Sequence, residues 1–322
     1  MNNNNKEIPI FFSIDDGYAP FLAVALSSAI KNSSPERNYR AIVLHKGLNA
    51  ENQGKLASLE SANFSIEFYE MNKGLETITD RKSNYLRCDY FTLTIYFRLF
   101  IPQMFPEFDK GIYIDSDVVV LGDLAELYDT ELGENYIGAC QDKSVVEVPP
   151  LAKYMEEYIG VDRNEYINSG VLLMNLKLLR EKRFDEHFLD LLNTYHFDSI
   201  APDQDYINAI CNGKIKYLHE AWDTMPNDNT PELEGAKLIH YNLFSKPWCY
   251  DGVQYEKHFW QYAKATPYLA EIIDYKSNYG DDKKESDAKC LDMLIKNGEK
   301  FCNNEKPKIQ PPPQVPAPLF PS

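Results

Sequence analysis

The chain contains no long hydrophobic run and few basic residues. No stretch approaches the roughly 20 continuous apolar residues of a membrane-spanning helix. The 33 Lys and Arg residues are outnumbered by 49 Asp and Glu, which gives a formal net charge of −16. Nucleic acids and anionic membranes attract Lys and Arg, so neither is expected to be the main partner. An anionic small substrate would need a metal ion or a few well-placed cations.

Several common motifs are also missing. The G-x-G-x-x-G turn of dinucleotide sites does not follow the first predicted strand, which argues against an NAD or flavin enzyme. No C-x-x-C pair occurs, so we expect buried free thiols rather than a zinc ribbon or redox dithiol at Cys88, Cys140, Cys211, Cys249, Cys290 and Cys302. The Asn-rich start precedes no hydrophobic signal region, which predicts a cytoplasmic protein with at most peripheral membrane contact.

Strands and helices are predicted to alternate in the first part of the chain. Apolar runs over 8–14, 39–44 and 64–71 predict strands, separated by helical patterns that begin near Pro20 and over 49–62. This alternation predicts an α/β fold with right-handed crossovers and a mainly parallel, doubly wound sheet. Such sheets bind ligands at the carboxyl ends of their strands, and Asp15 lies at one of these ends.

The stretch 111–120 contains two acids between apolar runs, and predicts one buried strand that emerges into a cleft. Side chains two apart on a strand share a side, so Asp115 and Asp117 would form a pair while Ser116 faces away. Two adjacent carboxylates repel unless one is protonated or a cation lies between them. Oxygen ligands favour Mg²⁺ or Mn²⁺, whose shell substrate phosphates often complete. The alternative is an ordinary turn after a strand.

Two basic side chains and a histidine are further candidates. Arg98 interrupts an apolar helical face and either forms a salt bridge or clamps a phosphate or sugar oxygen near the acidic pair. His240 ends a strand predicted over 237–241 and is a candidate metal ligand beside a phosphate clamp, Lys246. A hydrogen-bonded core histidine is the alternative.

Two loop segments allow more than one interpretation. Tyr18 either stacks on a base or covers the first helix. Asp203 or Asp205 precedes a helix predicted to begin at Tyr206, and capping is the simplest explanation for either acid.

Taken together and in order, these motifs resemble glycosyltransferase family 8, which includes bacterial lipopolysaccharide galactosyl- and glucosyltransferases and glycogenin. The resemblance covers residues 8–260 and is carried by Asp15–Tyr18, Arg98, the D-x-D motif Asp115–Asp117, Asn168–Gly170, Asp203–Asp205, His240, Tyr241 and Lys246–Trp248. It implies a nucleotide-diphospho-sugar transferase (GT-A type) fold with a Rossmann-like mixed, mainly parallel sheet. We expect the catalytic domain at 1–265, a small C-terminal helical extension at 266–302, and a Pro-rich, disordered tail at 303–322.

The implied activity is retaining, metal-dependent transfer of a hexose from UDP-galactose or UDP-glucose to a glycan, glycolipid, lipopolysaccharide-type or glycoprotein acceptor. The resemblance assigns manganese, or magnesium, to Asp115, Asp117 and His240, and places Lys246 on the donor diphosphate. It also assigns the uridine to Asp15 and Tyr18. The resemblance assigns binding of the donor hexose to Arg98, Asn168, Asp203 and Gln204.

The stereochemistry leaves two mechanisms open. Double displacement needs a carboxylate on the far face of the sugar, and the family position nearest that face is Gln204, a poor nucleophile. We therefore favour same-face attack, in which the departing phosphate takes the acceptor proton. Asp142 and Asp203 are the alternative nucleophiles.

Two other functions compete with this one. Residues 112–119 also resemble the signature of haloacid-dehalogenase-like phosphatases, with Asp115 as the nucleophile, although that motif normally lies on the first strand. A catalytically silent sugar-binding protein is the other, since 22 tyrosines could supply stacking surfaces and the acids could hold calcium. The chain also departs from the family at Gly17, where asparagine is frequent, and at Leu243, which replaces a common glycine.

Overall fold

The computed structural model of the chain describes residues 7–71, 93–195 and 199–303. The predicted free thiol at Cys88 and the Pro-rich segment from residue 304 onward lie outside the described residues. Within them, no helix is long and apolar enough to cross a bilayer.

The main sheet confirms the predicted mixed, mainly parallel architecture. Within the described residues it has seven strands in the order β3-β2-β1-β4-β7-β6-β8, with β7 antiparallel to both of its neighbours. The other neighbouring pairs are parallel. The strands are β1 Ile8–Ile14, β2 Tyr39–His45, β3 Phe64–Glu70, β4 Gly111–Ile114, β6 Ile137–Ala139, β7 Val171–Met174 and β8 Ile215–Tyr217.

Helices connect and cover these strands. Local signals set several of their starts: Pro20 lies in the first turn of α1, and the Asn49 side chain accepts the Asn52 N–H at 2.8 Å to cap α2. The helices are α1 Ala19–Lys31, α2 Ala50–Ala57, α3 Ile101–Met104, α4 Leu124–Tyr128, α5 Pro149–Tyr154, α6 Leu176–Glu181, α7 Phe184–Tyr195, α8 Pro202–Cys211, α9 Glu256–Ala263, α10 Leu269–Ser277 and α11 Asp281–Asn303. The segment Leu93–Leu99 is a 3₁₀ helix.

Alternation along the central strands divides the core into two clusters. Ile10 and Phe12 of β1 belong to one cluster, whereas Phe11 between them belongs to the other. On β4, Ile112 and Tyr113 divide in the same way. Because successive side chains on a strand point to opposite faces, apolar residues at every position bury both faces of the sheet.

The prediction of one strand over 111–120 is wrong. The chain forms β4 and then β5, Val118–Val120, which leaves the main sheet and pairs antiparallel with β9, Leu238–His240. The break falls at the acids because their backbones make separate contacts: Asp115 N–H donates to Gly170 O at 2.7 Å, and Asp117 O accepts from Tyr241 N–H at 2.9 Å. The β5–β9 pairing aligns Val118 with His240 and so brings the histidine beside the acids.

The C-terminal helices pack against two different parts of the fold. Ile272 of α10 is fully buried in the cluster that includes α1. Gly298 of α11 lies against Leu151 and Tyr154 of α5, where an added Cβ would come within 3.0 Å of the leucine side chain. The domain boundary expected after residue 265 stays a prediction.

Candidate active site

The two acids and the histidine converge as the sequence predicts. One ligand atom from each of Asp115, Asp117 and His240 lies within 4.8 Å of the others. His240 Nε2 is 3.3 Å from Asp117 Oδ1 and 3.9 Å from Asp115 Oδ2. Their role as ligands stays a prediction, but two carboxylates and one imidazole form a donor set that suits Mn²⁺ or Mg²⁺.

Strong negative charge surrounds the histidine. Burial alone would lower the pKa of His240, but the carboxylates of Asp117 and Asp223 outweigh burial and raise the pKa to about 10. Burial likewise opposes ionisation of Asp117, yet Lys246 and His240 hold the pKa of its carboxyl below the ordinary value. The cluster therefore holds anionic charge that protons and an ammonium group neutralise, which fits residues able to accept a divalent cation.

Because Gly170 has no side chain, His240 and Asp115 can approach each other closely beside it. A Cβ at this position would lie 2.3 Å from His240 Cε1 and 2.7 Å from Asp115 Oδ2. Real Cβ contacts are longer than both distances, so the cluster cannot keep this geometry with a larger residue at 170.

Arg98 is buried, and most of its N–H groups donate hydrogen bonds within the protein. Its side chain donates to Asp115 Oδ1 at 2.8 Å, to Ser169 O and Oγ, and to Ile95 O. Four of its five N–H bonds are thus used within the protein, and Nε lies 3.4 Å from Asp203 Oδ2. The structure therefore shows the salt bridge with Asp115, while contact with a sugar stays a prediction.

The residues assigned to the hexose form one buried hydrogen-bonded cluster. Asp142 Oδ2 accepts from Gln204 Nε2 at 2.8 Å and from Asn168 Nδ2 at 3.2 Å. Gln204 Oε1 accepts the Ser169 N–H at 3.0 Å, and Ser169 Oγ donates to Asp203 Oδ2 at 3.1 Å. Ser169 also accepts hydrogen bonds from Arg98, which donates to Asp115. The cluster therefore adjoins the candidate metal ligands.

The expectation that Asp203 or Asp205 caps a helix beginning at Tyr206 is wrong. Helix α8 already begins at Pro202, so both acids lie inside its first turn. Asp205 is buried and accepts hydrogen bonds from the hydroxyl groups of Tyr154 and Tyr166, at 2.8 and 2.5 Å, and from the N–H of Ala201, just before α8, at 3.2 Å.

Asp15 and Tyr18 lie together at the end of β1. Asp15 Oδ1 accepts the Tyr18 N–H at 3.1 Å and so caps the 3₁₀ turn Asp16–Tyr18. The Tyr18 ring packs edge-on against Phe21 of α1, yet the residue is 37% exposed. It therefore touches the helix and still presents surface to solvent.

Lys246 joins this arrangement from the loop after β9. Its Nζ is 2.5 Å from Asp117 Oδ2 and 2.6 Å from Tyr241 O, and lies 5.4 Å from the ring centre of Trp248. In the same loop Leu243 has φ +55°, in the left-handed region that favours glycine. The glycine-to-leucine departure therefore falls where the backbone conformation suits glycine better.

Comparison with known proteins identifies the family. The family model described as glycosyl transferase family 8 matches residues 9–252. The chain belongs to glycosyltransferase family 8. The prediction of this family from the motifs is therefore confirmed.

Individual relatives of this family 8 member are also glycosyltransferases by name. A protein of Haemophilus influenzae, provisionally named a glycosyltransferase, is 31% identical over 70% of the chain, which spans only 65% of that relative. Lipopolysaccharide 1,2-glucosyltransferase of Escherichia coli is 25% identical over 79% of this chain and 78% of its own length. The solved galactosyltransferase LgtC, in complex with donor and acceptor sugar analogues, is 28% identical with a TM-score of 0.70, over 81% of this chain and 96% of that one.

These findings confirm the predicted fold and a hexosyltransferase activity for the family 8 chain. They favour transfer over both the phosphatase and the silent sugar-binding interpretation, because the matched family is one of transferases.

Asp223 is the residue that sequence reasoning missed in this family 8 site. Its Oδ1 lies 2.9 Å from His240 Nδ1, so it holds the ring nitrogen that faces away from Asp117. Its Oδ2 is buried without a hydrogen-bond partner among the described residues. Metal-binding histidines commonly direct their second nitrogen to such a carboxylate, which orients the ring. Asp223 lies in a turn-rich segment without periodicity, so no signal in the local sequence could have identified it.

Replacing Asp223 by asparagine should weaken manganese binding while preserving the side-chain shape. We expect a 10–100-fold loss of affinity, the usual effect of removing an outer-shell partner of a metal ligand. Titration calorimetry with Mn²⁺ in the absence of donor measures this. Asp228→Asn, an exposed change in the same segment, is the matched control. An Asp223→Asn affinity equal to that of the unaltered protein would contradict the orienting role.

Proposed function

We propose that the chain transfers galactose or glucose from a UDP-sugar to a glycan or glycolipid acceptor with retention of configuration. The supporting observation is the convergence of Asp115, Asp117 and His240 within 4.8 Å, with Lys246 bonded to Asp117. A manganese or magnesium ion held by the first three residues would supply charge neutralisation for the donor diphosphate. Lys246 adds a further positive charge at the same place.

The donor would extend from the β1 end toward the buried polar cluster. Asp15 and Tyr18 would hold the uridine, with the base stacked on the partly exposed Tyr18. Arg98, Asn168, Asp203 and Gln204 would bind the hexose hydroxyls. This order follows the family 8 resemblance, in which the diphosphate lies between uridine and sugar at the metal site.

The contacts of the two alternative nucleophiles support same-face attack. Asp142 Oδ2 already accepts two amide N–H groups, and its Oδ1 accepts from Ser144. Asp203 Oδ2 accepts from Ser169 and lies near the Arg98 guanidinium. Hydrogen bonds and a nearby guanidinium stabilise the charged carboxylates and make them weaker nucleophiles, which favours same-face attack with Gln204 and Asp203 binding the hexose.

The relatives support the proposed class of acceptor. The named lipopolysaccharide glucosyltransferase among the relatives supports a glycolipid or glycan acceptor. A cytoplasmic location with peripheral membrane contact stays a prediction.

A screen of nucleotide sugars tests the proposed function. UDP-galactose or UDP-glucose should raise the unfolding temperature only with Mn²⁺ present, because a ligand at about 100 times its Kd stabilises by roughly 2.7 kcal/mol. The stabilising donor should then be hydrolysed slowly, with UDP release that EDTA abolishes. Adenosine and guanosine diphospho-sugars serve as controls for the base.

Two results would contradict the proposal. Phosphate release from p-nitrophenyl phosphate without donor hydrolysis would support the phosphatase with Asp115 as nucleophile. Tight donor binding without turnover, for every acceptor tested, would support a sugar-binding protein.

A further inference from the structure

The loop that carries Lys246 is held by a residue far along the chain. Lys276 of α10 directs Nζ to the backbone carbonyls of Pro247 and Tyr250, each at 2.8 Å, and to Asp251 Oδ1 at 2.9 Å. Its ammonium also lies 5.2 Å from the ring centre of Trp260. Hydrogen bonds from a charged donor are stronger than neutral ones, so Lys276 fixes both carbonyls at once.

A second contact joins the same helix to the same loop. Tyr275 packs edge-on against Phe21 at 5.6 Å, and Phe21 stacks on Trp248 with ring centres 4.2 Å apart and planes 18° apart. Trp248 is 2% exposed and directly follows Pro247. The aromatic contacts therefore link α10 to the loop through Trp248, in addition to the carbonyls that Lys276 binds.

We infer that α10 is a positioning element for the active site and that Lys276 is the positioning residue for Lys246. This inference rests on the proposed role of Lys246 at the donor diphosphate. A lysine is a point charge on a flexible stem, so its effect on a departing group depends on how firmly its backbone is fixed. Lys276 supplies that rigidity without touching the donor.

Helix α10 lies beyond the part of the chain that the family model matches. The family model ends at residue 252, whereas α10 begins at Leu269. The helical segment that follows the matched region thus contributes directly to the geometry of a loop inside it.

Lys276→Met tests the inference, since methionine keeps an unbranched apolar stem against Trp260 and removes the ammonium. Misplacement of an active-site group by about 1 Å can cost up to about 100-fold in rate, and we expect kcat for manganese-dependent donor hydrolysis to fall about tenfold. The KM for donor should change less than twofold, because the groups that bind uridine and hexose are untouched. Lys276→Arg, which keeps a multidentate cation, should recover part of the loss.

The matched control is Lys289→Met on α11, whose ion-pair partner Glu285 lies on the same helix. It should leave kcat and KM unchanged. Unfolding temperatures of all variants show whether each remains folded at the assay temperature. Should Lys276→Met be unfolded there, Lys276→Arg and Asp251→Asn report on the same contact.

A double-mutant cycle separates this inference from the proposed function. If Lys276 acts through Lys246, then adding Lys276→Met to a Lys246→Met variant should lower kcat no further. The effects of residues that act as one unit are not additive. Multiplicative losses, or a wild-type kcat in the single Lys276→Met variant, would overturn the positioning role alone. A wild-type kcat in Lys246→Met would overturn the proposed role of Lys246 itself.

Discussion

Asp117→Asn is expected to abolish manganese-dependent hydrolysis of the donor and to weaken Mn²⁺ binding by at least about a hundredfold, beyond the range typical of outer-shell changes. Asp117 contacts two cationic side chains, with His240 Nε2 at 3.3 Å and Lys246 Nζ at 2.5 Å. Asparagine keeps the volume but removes the charge that a divalent ion requires. Binding and hydrolysis should therefore disappear together.

Proton release provides a second measurement on the unaltered protein. Because carboxylates raise the pKa of His240 to about 10, the ring is protonated at neutral pH in the metal-free protein. A metal ion must displace that proton, so Mn²⁺ affinity should increase as pH rises toward this pKa. Calorimetry in buffers of different ionisation enthalpy measures the protons released.

The control is Asp129→Asn, which removes an exposed surface carboxylate paired with Arg37. It should leave Mn²⁺ affinity and hydrolysis unchanged. Undiminished hydrolysis in Asp117→Asn, with a normal unfolding temperature, would contradict the assignment of the metal ion to this carboxylate.

The sequence predicted β1, β2 and β3 well because each is rich in apolar residues and helical patterns separate the three. The direction of β7 could not be predicted in this way. Its four residues are all buried and apolar, and such a run contains no information on parallel or antiparallel pairing. The structure shows β7 antiparallel to β4, and its start delivers Gly170 to the acids.

The division of residues 111–120 into two strands could not be predicted from the sequence either. Strand β5 has three residues and gains its partner from β9, more than a hundred positions later. Pairing at that separation depends on the whole fold rather than on local pattern. The convergence of His240 with the acids was predicted from its residue type and the family resemblance, whereas the structure supplies the register that explains it.

Side-chain chemistry was predictable where a polar residue interrupts an apolar pattern. Arg98 and His240 stand out for that reason, and both are buried with carboxylate partners. Asp223 occurs among other turn residues, so nothing local separates it from an ordinary loop aspartate. Its importance depends on a 2.9 Å contact that only the folded chain creates.

Lys246→Met should lower kcat for donor hydrolysis by about 10²–10³-fold, the usual effect of removing one preorganised group that stabilises developing charge. The KM for donor should change much less, because the diphosphate gains charge mainly as the bond to the sugar breaks. Methionine keeps the stem packed beside Trp248, so the loop should retain its shape. Steady-state UDP release over a range of donor concentrations separates the two constants.

Lys246→Arg separates charge from exact placement. Arginine keeps a positive charge, but its planar fork cannot reproduce an ammonium that contacts both Asp117 Oδ2 and Tyr241 O. We therefore expect kcat for Lys246→Arg to lie between those of Lys246→Met and the unaltered enzyme. A rise in KM with unchanged kcat in Lys246→Met would show that the ammonium binds donor and leaving group equally. That result would contradict a role in the bond-breaking step, since equal binding of ground and transition states does not raise kcat.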